Sequence, residues 1–352
     1  MFKAQIINHC EESRYTNSGQ VPVPSKRKRG KNISKGVRRV QIDFKIRCKR
    51  VEKRQNNYHG LSQANRVKVK YCDGSSFTGD IEEVDPATNL HYRGARIFKV
   101  IVEELLAKGM SSAQNVILSG TSAGGLAAIL NCDKFKNFLQ MDTRLKCISD
   151  AGFFLNVNTI AGKPEIKELY ERVVVLHGST KNLPASCTST LKPSLCFFPQ
   201  YVAGYIQTPL FIINSAYDSW QVNNSLVPED ADPQGIWNNC KKNINECSPS
   251  QLNILHGMYF LLKFFNAITE LGGTSSIGYF IISCHYHNII ERQSYWFYNN
   301  SPTLSNKTIA TTVGDWFYEE SVFQNTDCPC PCGQKFCHKE QLIKLGCCII
   351  IN

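Results

Sequence analysis

A serine flanked by glycines is the residue of this chain best placed to do chemistry: Ser122, in "GTSAG" at 120–124. The apolar run "NVILSG" leads into it and the small-residue stretch "AGGLAAILNCDKF" leads away, so G-x-S-x-G falls between a predicted strand and a predicted helix. A sharp turn there exposes the hydroxyl. Gly120 and Gly124 take away side chains that would collide as strand and helix approach, and the helix N-terminus favours negative charge developing nearby. The same pentapeptide also fits a Gly/Ser-rich turn without chemistry, so its partners decide.

A serine nucleophile needs a base, and the base needs an acid to orient it, in the chain order Ser, Asp, His that a strand–helix sheet of this kind supplies. Asp218, in "INSAYDSW", lies just beyond a strongly apolar strand, where the acid belongs. Asp150, in "ISDAGFF", is a rival whose carboxylate is equally explained by capping or by bonds to nearby backbone. For the base, His285 and His287 both follow the strand "YFIISC", and spacing does not separate them. His177, after "VVVL", reads better as an ordinary partly buried side chain.

The elements that must hold these residues are legible in the hydrophobic pattern. "NRVKVKYC" alternates as a strand, and "GARIFKVIVEELLAKGM" spaces its apolar residues as an amphipathic helix ending at Gly109. "TPLFIINSAYD" and "GYFIISCHYH" are buried strands that terminate in acid or imidazole residues. "SPSQLNILHGMYFLLKFFNAITELG" reads as helix, with Ser248 as N-cap and Gly272 as its stop. Strands separated by helices predict an α/β fold with a mainly parallel sheet, whose functional groups gather at the carboxyl ends of the strands.

Composition bounds the partners. The net charge of +11 comes entirely from the N-terminal fifth: residues 1–70 carry 19 Lys and Arg against 4 Asp and Glu, the remaining 282 carry 21 against 25. A nuclear or nucleic-acid role would rest on "KRKRGK" at 26–31 alone, and basic runs of this kind are usually solvated tail. Residues 1–60 show little sustained periodicity and are expected to be poorly ordered. Sixteen cysteines and sequons at Asn32, Asn223, Asn299 and Asn306 point to disulfides and an oxidising compartment, although the first residues show no apolar core of a secretory signal. No apolar run approaches the roughly 18 residues of a membrane span.

At these motifs the sequence resembles the plant pectin acetylesterase family, which is related to the Notum carboxylesterases of animals. The resemblance is carried by "RVKVKYCDGSSFTGD", "LSGTSAGGLAAILNCDKF", "CISDAGFFLNV", "KNLPASCTSTLKPSLCFFPQY", "TPLFIINSAYDSWQV", "ADPQGIWNNC" and "VGDWFYEESVFQNTDCPCPC", and covers about residues 65–337. It implies an α/β-hydrolase-like three-layer sandwich at 65–340, preceded by a divergent basic segment at 1–64 and followed by a tail at 341–352. It also implies a secreted, cell-wall serine esterase that removes O-acetyl groups from galacturonic acid residues of pectin, as a monomer with no metal or organic cofactor, no nucleic acid and no membrane partner. By motif, Ser122 takes the place of the nucleophile, Asp218 of the acid and His287 of the base.

Three departures accompany the match. Family members usually carry "GGGWC" upstream of "YCDG", whose amides supply part of the oxyanion hole; residues 1–64 contain no Gly-Gly pair and no Trp, so first strands and loop are expected to be missing and Ala123 N–H is left as an oxyanion donor. Thr121 and Asn288 stand where the family has cysteines, which implies a disulfide lost as a pair. Cys72 is expected to be unpaired or rewired, having lost the cysteine of that loop. Cys187 with Cys196 and Cys240 with Cys247 enclose short loops and are the preferred disulfides. Cys328, Cys330, Cys332, Cys337 and His338 could be a zinc site, but the spacing is tight and the resemblance favours disulfides. The alternative to an active esterase is a catalytically impaired relative, a binding protein or the product of an aberrant gene model lacking the oxyanion loop.

Overall fold

The computed structural model of the chain describes residues 2–8, 65–71, 73–256, 261–273, 276–290, 294–297 and 301–327. Seven strands form one parallel sheet: β1 (Phe2–Asn8), β2 (Asn65–Tyr71), β3 (Asn115–Thr121), β4 (Arg144–Asp150), β5 (Leu210–Ser215), β6 (Ile277–Ile282) and, after a short antiparallel hairpin of β7 (Thr303–Leu304) and β8 (Lys307–Thr308), β9 (Gln324–Thr326). Their spatial order is β2-β1-β3-β4-β5-β6-β9.

β1 lies inside the sheet, with Phe2 opposite both Asn65 of β2 and Val116 of β3. Residues 2–8, expected to carry little regular structure, are therefore a strand; residues 9–64 lie outside the described residues. So do Cys72 and the cysteine cluster from Cys328 to His338, which leaves their expected pairings untouched.

The central strands bury both faces, as a sheet covered on two sides requires. Along β5, Leu210 and Ile212 join one apolar cluster while Phe211 and Ile213 join another, and all four are fully buried. The first cluster receives α1 (Gly94–Ala107) through Phe98, Val102 and Leu105, α2 (Ala123–Lys136) through Ile129 and Phe135, and α3 (Glu165–Leu176) through Tyr170 and Val174. α4 (Pro249–His256) and α5 (Leu261–Thr269) add Leu252, Leu255 and Phe264 to the same side. The second cluster is covered by α6 (Ile309–Phe317), through Val313, Trp316 and Phe317. The result is the helix–sheet–helix sandwich that the alternation of strands and helices predicts.

Local chemistry sets the boundaries. α1 stops where Gly109 takes φ 105°, a left-handed backbone that favours glycine. Ser248 and Gln251 cap α4 reciprocally: Gln251 N–H donates to Ser248 Oγ at 3.3 Å, and Ser248 N–H to Gln251 Oε1 at 2.8 Å. The sequon at Asn223 is engaged, its Nδ2 donating to Ser219 O at 2.6 Å, whereas Asn306 stands exposed in the turn of the β7–β8 hairpin.

Cys187–Cys196 and Cys240–Cys247 are bonded as expected. A third disulfide, Cys132–Cys147, has no counterpart in the sequence reading, because its partners are buried in a helix and a strand 15 residues apart. Cys284 is disulfide-bonded as well.

Two glycine substitutions separate close approach from simple flexibility. A Cβ on Gly120 would sit 1.9 Å from the Gly124 carbonyl oxygen, whereas one on Gly314, within α6, meets nothing within 4 Å. Gly120→Ala is expected to destabilise by at least about 2 kcal/mol, as overpacking against backbone does. Gly314→Ala should stabilise by roughly 0.5–1 kcal/mol through helix propensity, both read from urea unfolding midpoints.

Candidate active site

Because the strands run parallel, their carboxyl ends share one edge, and four neighbours in the sheet deliver the polar residues there. β3 ends at Thr121 and is followed at once by Ser122; β4 ends at Asp150; β5 is followed by Asp218 and β6 by His287. Residues separated by 69 and 165 positions thus become neighbours.

Ser122 sits at φ 59°, ψ −124°, a strained backbone for a residue with a side chain, and is 8% exposed. The turn is held by Ser122 N–H donating to Asp150 O at 2.8 Å and by Leu126 N–H donating to Ser122 O at 3.0 Å. It is possible because strand and helix nearly touch. The glycines that permit this are Gly120, Gly125 and Gly152: a Cβ on Gly125 would lie 2.7 Å from Asp150 O, and one on Gly152 2.4 Å from the Gly125 carbonyl carbon.

Ser122 Oγ lies 2.8 Å from His287 Nε2, and His287 Nδ1 lies 2.7 Å from Asp218 Oδ2. An ionised carboxylate only accepts hydrogen bonds, so Nδ1 carries the proton and the Nε2 lone pair faces the hydroxyl. Asp218 is fully buried, and its other oxygen accepts the Gln221 N–H at 2.9 Å. The loop carrying His287 is tied to the segment carrying Asp218 by Ser219 N–H donating to Tyr286 O at 3.3 Å and by Ser215 Oγ–H donating to Cys284 O. Trp220 lays its ring over His287 at 6.3 Å between centroids and 30° between planes, with Phe154 packed edge-on behind it at 5.1 Å.

The arrangement separates the histidines that spacing left open. His285 Nε2 is buried without a hydrogen-bond partner among the described residues, and burial pulls its imidazole below the usual range, against the charge of Asp218. His177 caps the end of α3, edge-on to Tyr92 at 4.6 Å, its basicity likewise lowered by burial. Asp150 does not touch an imidazole; its oxygens accept the N–H groups of Ile289 and Ile290, each at 3.0 Å.

Ala123 occupies the first position of α2, where a backbone N–H has no intrahelical acceptor and points to the end of the helix. Its own carbonyl accepts Ser76 Oγ–H at 3.1 Å, from a loop in which Ser76 and Phe77 both take positive φ and Asp73 Oδ2 gathers Ser75 N–H and Phe77 N–H. Thr121 Oγ1 and Asn288 Oδ1, at the places where the resemblance implies cysteines, are each buried without a partner among the described residues. This set of a hydroxyl, an imidazole, a buried carboxylate and a helix N-terminus suits acyl transfer.

A family model described as "PAE: Pectinacetylesterase" matches residues 20–338. The chain belongs to the pectinacetylesterase family. The match starts well before the quoted strings that carry the resemblance, which begin near residue 65. Pectin acetylesterase 11 of Arabidopsis thaliana is 50% identical over 264 residues, 75% of this chain and 67% of that protein. Pectin acetylesterase 7 of the same plant is 49% identical over 267 residues, 76% of this chain and 68% of that protein. Among solved structures, the Wnt deacylase Notum from Drosophila superposes with a TM-score of 0.59 at 20% identity, covering 77% of this chain and 75% of that one, a likeness of fold. The α/β-hydrolase-like architecture of the family is thus the architecture of this chain.

Sequence reasoning missed two contributors. Asp150 was weighed as a rival acid or as a carboxylate bonded to nearby backbone, and its acceptor role toward a loop 139 residues away has no local signal. Trp220 lies in a quoted string, but the ring contact depends on the tight turn after Asp218. The geometry predicts a reactivity difference that needs no natural substrate. A fluorophosphonate should label Ser122 covalently; His287→Gln should slow labelling by at least about a hundred-fold, the contribution of a general base, while His285→Gln leaves the rate near that of the unsubstituted chain.

Proposed function

We propose that this carboxylic ester hydrolase releases acetate from acetylated homogalacturonan, with Ser122 as nucleophile, His287 as general base and Asp218 as the acid that orients it. The observation that carries the reading is the continuous relay from Ser122 Oγ to His287 Nε2, at 2.8 Å, and from His287 Nδ1 to Asp218, at 2.7 Å. Family membership supplies the substrate class, and the relatives named pectin acetylesterase 11 and 7 agree with it.

In the first step His287 Nε2 takes the Ser122 proton while Oγ bonds to the acetyl carbonyl carbon, whose oxygen becomes an oxyanion facing the Ala123 N–H. The imidazolium is stabilised by Asp218. Collapse of the tetrahedral species breaks the bond to the sugar oxygen, which receives the proton from Nε2 and departs as the hydroxyl. Water then gives its proton to Nε2 and attacks acetyl-Ser122, and acetate leaves as the serine recovers its proton.

Location in the cell wall, outside the cell, is part of the same proposal. It is supported by the disulfides Cys132–Cys147, Cys187–Cys196 and Cys240–Cys247, which belong to an oxidising compartment. The competing reading, a catalytically impaired relative, is favoured by the missing Gly-Gly and Trp before residue 65, since loss of one oxyanion donor commonly costs about a hundred- to a thousand-fold.

Acetate release from acetylated pectin and from an aryl acetate decides between them. Turnover that falls about ten-thousand-fold or more in Ser122→Ala and His287→Gln is expected for the enzyme. Equal background rates from the unsubstituted chain and Ser122→Ala would remove the active-esterase reading.

A further inference from the structure

We infer that Asp150 is a positioning residue, which locks the loop bearing His287 onto the turn bearing Ser122; this rests on the esterase reading above. The two sides of one residue make the connection. Its backbone carbonyl accepts the Ser122 N–H at 2.8 Å, and its two carboxylate oxygens accept the Ile289 and Ile290 N–H groups at 3.0 Å each. Those amides lie two and three positions beyond His287. A single rigid strand end therefore fixes nucleophile and base relative to one another.

Among the bonds that hold the His287 loop, those to Asp150 join it to the residue that also bonds the Ser122 N–H. Residues 283–290 contain no helix or strand, so bonds within such an element do not set the position of their backbone. Asn288, immediately before the two bound amides, is held at φ 63°. Asp150 itself cannot shift: it is fully buried, ends β4 opposite Thr121 and Ile213, and its carbonyl stands against Gly125 of α2. The next residue continues the anchor, with Ala151 N–H donating to Ile213 O at 2.8 Å.

The clamp needs a carboxylate rather than any polar side chain, because both oxygens must accept. An asparagine offers one oxygen, and its NH₂ would face the second amide donor. Protonation has the same consequence, since the hydroxyl donates where an acceptor is required. Burial pushes the carboxyl up to about 7, against the two amides and the charge of His287, which favour the ionised form, and together with the charge of Asp218, which opposes it. Among the described residues no other charged group acts on it: β3 presents Thr121, β5 presents Ile213 and α2 presents Gly125. Loss of activity on acidification then includes a proton taken up by Asp150, besides the one that disables the general base.

The test compares the unsubstituted chain with Asp150→Asn and Ser122→Ala. In Asp150→Asn, kcat for an aryl acetate should fall about ten- to a hundred-fold with KM within about twofold, the loss expected when reacting groups are misplaced. The acid limb of its kcat/KM profile should follow one proton where that of the unsubstituted chain follows two. The far-downfield proton resonance of His287 Nδ1–H bound to Asp218 should broaden or vanish in Asp150→Asn and persist in Ser122→Ala. Unchanged kcat and an unchanged resonance in Asp150→Asn would overturn the proposal, as would a one-proton acid limb in the unsubstituted chain, a measurement that stands even where the variant does not fold. An inactive unsubstituted chain defeats the esterase reading alone, and the resonance then decides the positioning role.

Discussion

The contact between α2 and the ends of β3 and β4 is the constraint on which the site depends. With a Cβ missing from Gly120, Gly125 and Gly152, the helix begins directly at the strand ends, its backbone within van der Waals reach of theirs. Ser122 is the single residue left to turn the chain, and it does so at φ 59°, ψ −124°. Such a conformation costs on the order of 1–3 kcal/mol and persists only where surroundings over-determine it. Here they do: the turn is bonded at Ser122 N–H and at Ser122 O, and the disulfide Cys132–Cys147 joins α2 to β4 covalently. The strain keeps a hydroxyl facing the carboxyl edge of the sheet, where parallel strands bring everything else.

Two carboxylates are fully buried at that edge, and a buried charge is costly unless each oxygen finds a donor. Both are satisfied, in different ways. Asp218 shares its oxygens between a backbone N–H of its own turn and the imidazole, so its charge bears directly on the ring that would become positive during acyl transfer. Asp150 spends both oxygens on backbone, so its charge shapes a loop. The difference follows from place in the chain: Asp218 is three residues past the end of its strand, on a turn free to aim at His287, whereas Asp150 is the last residue of its strand.

How much of this the sequence carried depends on the range of the interaction. Strands β2, β3, β5 and β6 and helices α1 and α2 were legible because apolar periodicity and glycine stops are local, and G-x-S-x-G singled out Ser122 as a candidate because its context is local too. The choice of His287 over His285 was not, since both follow β6 and differ only in which ring meets Asp218; motif resemblance separated them where spacing could not. β1 escaped because "FKAQIIN" offers seven residues beside a basic stretch, with no flanking pattern. The close approach at Gly120 was legible in the pentapeptide, whereas those at Gly125 and Gly152 were not, because the pentapeptide shows neighbours in sequence and these contacts are between neighbours in space.

The loop bearing His287 shows what such long-range organisation requires. Apolar burial alone cannot orient an imidazole to within a few tenths of an ångström, because hydrophobic contact is not directional, and residues 283–290 have no ladder of their own. Directional bonds from distant side chains supply what is lacking: Ser215 Oγ to Cys284 O, Ser283 Oγ to Asp327 Oδ2 at 2.6 Å, Asp150 to Ile289 and Ile290, and Trp296 Nε1 to Ile290 O at 3.0 Å. Ile289 and Ile290, both buried, seat the same stretch in the cluster beneath α6. Apolar side chains thus fix the depth of the loop and polar ones its bearing.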